Sequence, residues 1–111
     1  MPHCIVEHSS SIDSKNVNQK VFQGALESNI FEPDGCDIKV RSIAYEHYQT
    51  GSLEENFVHV TLRILSGRSA QEKLLLSNSV ISKLRSIHLV NASLTVEVVD
   101  IDRNSYTKQI V

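Results

Sequence analysis

The feature that most constrains this chain is a change of hydrophobic period that occurs twice in the same order. Residues 3 to 8 alternate as a strand does. Val17, Val21, Phe22, Leu26 and Ile30 then recur on one face at helical spacing, and a second alternating run covers about 37 to 46. From Phe57 to Leu65 the alternation begins again, with Val58, Val60, Leu62 and Ile64 on one face and Phe57, His59, Thr61 and Arg63 on the other. Leu76, Val80, Leu84 and Ile87, flanked by Leu74 and Ile81, form a second helical stripe, and Ser93 to Ile101 a fourth strand. Sliding the chain by 56 residues places His3 on His59, Ile5 on Thr61, Ser11 on Gly67 and Lys39 on Thr95. Residue identity is poor, but the order and spacing of elements persist. The pattern predicts two βαβ units related by a pseudo-twofold axis, with right-handed crossovers. The fold class is therefore α+β: a four-stranded sheet with both helices on one face, in a single domain of 111 residues whose halves run about 1–48 and 57–104.

Local signals agree with this order. The polar run Ser9 to Ser14 closes the first strand and offers helix N-caps. Glu32-Pro33-Asp34-Gly35 ends the first helix in a turn, since proline cannot continue it and Asp-Gly tolerates turn geometry. A loop spans Tyr48 to Asn56. The second helix opens at Ser66-Gly67-Arg68-Ser69, where Ser69 and Glu72 have capping-box spacing.

Charge and cysteine usage exclude several classes. A net charge of -2 with eleven scattered Lys and Arg gives no footprint for nucleic acid. Cys4 and Cys36 form neither C-x-x-C nor a zinc spacing, which fits a reducing, cytosolic compartment. Cys4 reads as a small packed hydrophobe. The five histidines contain no tight ligand pair, so no metal is expected. No apolar run approaches the roughly 18 residues of a membrane span, and no secretory leader is visible.

The chemistry converges on the chain start, Met1-Pro2-His3-Cys4-Ile5-Val6-Glu7-His8, which reads as strand from its first residues although chain ends are usually loose. Removal of Met1, usual before a small second residue, makes Pro2 a secondary amine fixed at a sheet edge: a base or nucleophile. In a βαβ unit the strands are parallel, so Pro2 lies near Asp37 to Lys39. If the twofold sets strands one and three antiparallel, Ser66 to Ser69 lies there too, at a helix N-terminus that favours an anion. Lys39 and Arg41 share a face of strand two. An amine, basic residues and an anion-binding helix end make a site for a small-molecule carboxylate. An α-amino group titrates at about 8, and desolvation with Lys39 and Arg68 nearby lowers that toward neutrality. One amine can then take and return a proton on a conjugated dienol while the cations hold the carboxylate and stabilise the developing oxyanion.

Met1 to Glu7, Phe57 to Ile64 and Gly67-Arg68-Ser69 resemble the 5-carboxymethyl-2-hydroxymuconate isomerase family of the tautomerase superfamily, as does the tail Ser105 to Gln109. The resemblance implies homotrimers of doubled βαβ units that act through the amino-terminal proline without metal or cofactor. It implies Pro2 as the catalytic base and Arg68 as a substrate-binding arginine. The family's other arginine falls on Asp37 or Lys39 according to where a gap is placed, with Arg41 two residues on. A second reading, from a different class, is a trimer of this fold without chemistry or with weak activity, serving in small-molecule binding or structure. A retained Met1 would seal the proline nitrogen in a peptide bond. Phe57, Ile43 and Tyr45, on the sheet face away from the helices, predict burial in a homotrimer.

Overall fold

A computed structural model describes residues 1–51 and 55–111; residues 52–54, within the loop expected from Tyr48 to Asn56, lie outside the described residues. The elements follow the order β1 (Pro2–Ser9), α1 (Ser14–Glu27), β2 (Lys39–Tyr45), β3 (Asn56–Leu65), α2 (Ala70–Arg85) and β4 (Ala92–Ile101). They form one sheet in the order β2-β1-β3-β4, with β1 parallel to β2, β3 parallel to β4, and β1 antiparallel to β3. The expected fold class is what the chain adopts.

The repetition extends to register. His3 pairs with Lys39 and His59 with Thr95, so partners stand 36 residues apart in both units. Across the central pair His3 faces Arg63 and Glu7 faces His59, and displacement by 56 residues converts one pair into the other. The pseudo-twofold therefore passes between β1 and β3, although the side chains on its two sides differ.

One face of the sheet builds the core. Cys4 and Val6 on β1, with Val58, Val60, Leu62 and Ile64 on β3, are buried against Val17, Val21 and Ala25 of α1 and Leu76, Val80 and Leu84 of α2. His8 also points inward, and its needs are met locally: Nδ1–H donates to the Ser9 carbonyl at 2.8 Å, leaving Nε2 to accept from the Ser14 hydroxyl at 2.9 Å. The two helices touch at Gly24, where a Cβ would stand 2.6 Å from the Val80 Cα. The Ser79 hydroxyl donates to the Gly24 carbonyl at 2.6 Å, fixing the crossing. Gly24 reads in sequence as a blemish in a helix; its lack of a side chain is what lets α1 and α2 meet.

Helix ends depart from expectation in one respect. Asp13 caps α1, accepting from Lys15 N at 3.0 Å, but α1 stops at Glu27, five residues before the Glu32-Pro33-Asp34-Gly35 turn expected to end it. Asn29 adopts φ 59°, and the chain leaves the helix there. Ile30 still packs against the core, from the connection to β2, which is why it matched the helical spacing. On α2 the capping box forms as expected, whereas Leu74 is 61% exposed and contributes nothing to the stripe.

Candidate active site

Pro2 is fully buried as the first residue of β1, opposite Ile64 on β3. The start of β1, the start of β2 and the end of β3 therefore meet at one end of the sheet, as the parallel and antiparallel pairings demand. Met1 precedes Pro2 at this end of the sheet. Its ammonium donates to Asp37 Oδ2 at 3.1 Å and its side chain is only 7% exposed. Asp37 Oδ1 is buried without a hydrogen-bond partner among the described residues. Met1 lines a pocket of about 300 Å³ together with Cys36, Lys39, Tyr106, Lys108 and Gln109. The tail after β4 supplies the outer wall. The chain beyond Ile101 turns at Asp102 to Ser105, where Arg103 donates from Nε to the Ser66 carbonyl, and so returns across the end of the sheet.

The open face at this end is cationic. His3 on β1 stands between Lys39 on β2 and Arg63 on β3, and Arg41 reaches back to it, placing Nη1 3.3 Å from His3 Nδ1. His3 Nε2 lies 3.0 Å from Tyr106 Oη. Partial burial comes first in pulling the His3 pKa below its ordinary 6.5, with Arg41, Lys39, the chain-terminal ammonium and Arg63 adding to it. The other end of the same face is different: His59 bonds Thr95 Oγ1 and Glu97 Oε2, each at 2.6 Å, while the Tyr45 hydroxyl donates to Glu7 Oε2 at 2.7 Å.

Among the residues singled out from sequence, Lys39 lines the pocket, Pro2 is buried next to Met1 at the same end of the sheet, and Arg41 reaches this end through His3. Arg68 lies at the same end of the sheet, ahead of α2, but its guanidinium is turned to other partners. Nη2 donates to the Ile30 carbonyl at 2.8 Å, and Nη1 to Glu72 Oε2 at 3.2 Å. Glu72 also accepts from Ser69 N at 3.1 Å, and this backbone bond, followed by the Arg68 contact, holds its carboxyl below the usual carboxylate range. The anion expected at the helix N-terminus is thus present already, as a residue of the helix itself. The ion pair is well exposed, so solvent screens it and it holds Arg68 only weakly.

Tyr106, Arg63 and the role of His3 escaped the sequence reading. Arg63 falls on the solvent face of a clear strand, where a basic residue is unremarkable. Tyr106 lies in a tail without periodicity, and only the family resemblance of Ser105 to Gln109 pointed toward it. A larger concavity of about 710 Å³, lined by Ser82, Arg85, Ser86, His88, Leu89 and Leu94, opens where α2 ends and β4 begins. It lies at the opposite end of the sheet from Pro2 and offers no amine or carboxylate to start a proton transfer. No group of three or more His, Cys, Asp or Glu among the described residues is placed to hold a metal ion, and no helix among them is long and apolar enough to cross a membrane.

No curated protein matches the sequence. Solved structures match the fold. A 5-carboxymethyl-2-hydroxymuconate delta-isomerase superposes with a TM-score of 0.74 at 16% identity, over 100% of this chain and 89% of its own. A 5-carboxymethyl-2-hydroxymuconate isomerase from Deinococcus radiodurans R1 does so at 0.76 and 22% identity, covering 97% and 88%. A wild-type fused 4-OT symmetric trimer matches at 0.72 and 12% identity, covering 96% and 93%. The model of the 5-carboxymethyl-2-hydroxymuconate isomerase family matches residues 2–109, beginning at Pro2 and running through the tail that walls the pocket. With the doubled βαβ register spanned from end to end by that match, the chain belongs to the 5-carboxymethyl-2-hydroxymuconate isomerase family, and its function is of the isomerase or tautomerase type.

Proposed function

We propose that this protein is a cofactor-free isomerase that moves a proton within an unsaturated 2-hydroxy or 2-oxo acid, with Pro2 as the general base once Met1 has been removed. The observation that carries the reading is the position of Met1. Its nearly buried side chain lines the pocket with Lys39, so loss of this one residue both frees the Pro2 amine and opens space beside Lys39. The Pro2 nitrogen takes the proton of the 2-hydroxyl. The O–H electron pair becomes the C2=O bond, the C2=C3 pair moves to C3=C4, and the C4=C5 pair takes the proton back from Pro2 at C5. Atoms and charge balance without any further reactant. Lys39 and Arg41 hold the carboxylate, and Arg68 joins them when it releases Glu72. The working unit is a homotrimer in the cytoplasm, a reading supported by the trimeric fused 4-OT neighbour and by two free cysteines.

The contact between the Met1 ammonium and Asp37 favours one alternative, a ligand-binding or structural trimer in which methionine is retained. Intact-mass spectrometry of the protein from its natural host separates the two. We expect a mass lacking Met1, together with a change in ultraviolet absorbance when conjugated 2-hydroxy acids are added. A mass that includes Met1 ends the proline mechanism, since an acylated nitrogen has no lone pair to act as base.

A further inference from the structure

The His3 contacts fix the direction of a hydrogen-bond chain that ends in the pocket. A guanidinium carries donors only, so at 3.3 Å from Arg41 Nη1 the His3 Nδ1 must be the acceptor. The imidazole is then the neutral tautomer with its hydrogen on Nε2, and that N–H donates to Tyr106 Oη at 3.0 Å. Tyr106 accepts from His3, which leaves its own hydroxyl hydrogen free. The rest of the surroundings agree. The charged groups facing His3 from β2, β3 and the chain start are Arg41, Lys39, Arg63 and the terminal ammonium, all cations, and they join burial in disfavouring the imidazolium. Glu7, the acid on the same face of β1, is engaged by Tyr45. The His3 and Tyr106 rings meet edge to face, with centroids 6.1 Å apart. Tyr106 also lines the pocket with Met1 and Lys39.

We propose that Tyr106 is a catalytic residue whose hydroxyl donates a hydrogen bond to the 2-oxygen of the unsaturated acid, and that His3, oriented by one nitrogen of the carboxylate-binding Arg41, is a positioning residue that leaves that hydroxyl free to donate. This rests on the isomerase reading above and adds to it a neutral donor for the reacting oxygen, distinct from the cations that hold the carboxylate. A directed donor at a developing oxyanion contributes on the order of 100-fold to turnover.

The test uses the full chain lacking Met1, with 2-hydroxyhexa-2,4-dienoate as substrate. Tyr106→Phe is expected to lower kcat about 100-fold with KM changed by less than about threefold. His3→Leu matches it, and the double variant is no worse than either, because the two act through one hydrogen bond. His3→Gln, whose amide N–H can replace Nε2–H, keeps most of the activity. Nitrogen-15 spectra of His3 supply a readout independent of turnover: an unprotonated Nδ1 and a protonated Nε2 at pH 7, with titration moving upward in Arg41→Met. Wild-type kinetics in Tyr106→Phe, or a hydrogen on Nδ1, overturns this proposal alone. A wild-type protein inert toward the dienol overturns the isomerase reading and this proposal with it.

Discussion

A thiol reacts through its thiolate, and the two cysteines are separated by what surrounds them. Cys4 faces the core from β1, and burial pushes its pKa up to about 12. Cys36 is exposed at the pocket rim, yet a hydrogen bond with Asp34 comes first in raising its pKa, with Asp37 and Glu32 adding to it. We expect iodoacetamide to label the native protein once, at Cys36, and more slowly than a free thiol; Asp34→Asn should speed that labelling. Modification of Cys4 before unfolding would contradict the packing. Residue types were legible in sequence where alternation governs them: Cys4 as a packed hydrophobe, and Lys39 and Arg41 on one face. Roles that depend on partners distant in the chain were not. The Arg68 contact with Ile30 and the approach of Tyr106 to His3 join residues 38 and 103 positions apart. No local pattern encodes such distances.

At the scale of elements, the helix crossing offers the sharpest check. In an isolated helix, alanine would be favoured over glycine by about 1 kcal/mol. At Gly24 the added carbon meets the Val80 backbone at 2.6 Å, and backbone cannot swing aside as a flexible side-chain tip can. We expect Gly24→Ala to destabilise the fold by about 1–3 kcal/mol, lowering the melting temperature by roughly 5 °C or more. A melting temperature at or above wild type would mean that the helices separate easily. Periodicity located every strand and both helices because burial on one face enforces it. It overran the end of α1 because Ile30 reaches the core from outside the helix, and it could not see that a left-handed Asn29 ends the element first.

For the whole molecule the open sheet face and the two edge strands decide the assembly. Ile43 is 50% exposed there, but Phe57 packs against Tyr45 and Tyr48, and polar pairs cover much of the remaining face. The stronger argument comes from the edges. β4 presents ten residues, among them Leu94, Val96, Val98 and Val99, with no strand beyond it among the described residues, and a long edge of that composition invites pairing. Sedimentation equilibrium is expected to give three times the chain mass at micromolar concentration. A monomer would show that the edges are tolerated bare. The pseudo-twofold also has a consequence for counting. Each chain offers two related sheet ends, one at the start of β1 and one at the start of β3, but a polypeptide has a single amino terminus. The start of β3 is joined to the loop before it, so its nitrogen is always an amide. An assembly of six βαβ units should therefore carry an amino terminus at only half of these ends, so a label specific for an amino-terminal proline should bind three equivalents per trimer, and the other three ends are free to diverge.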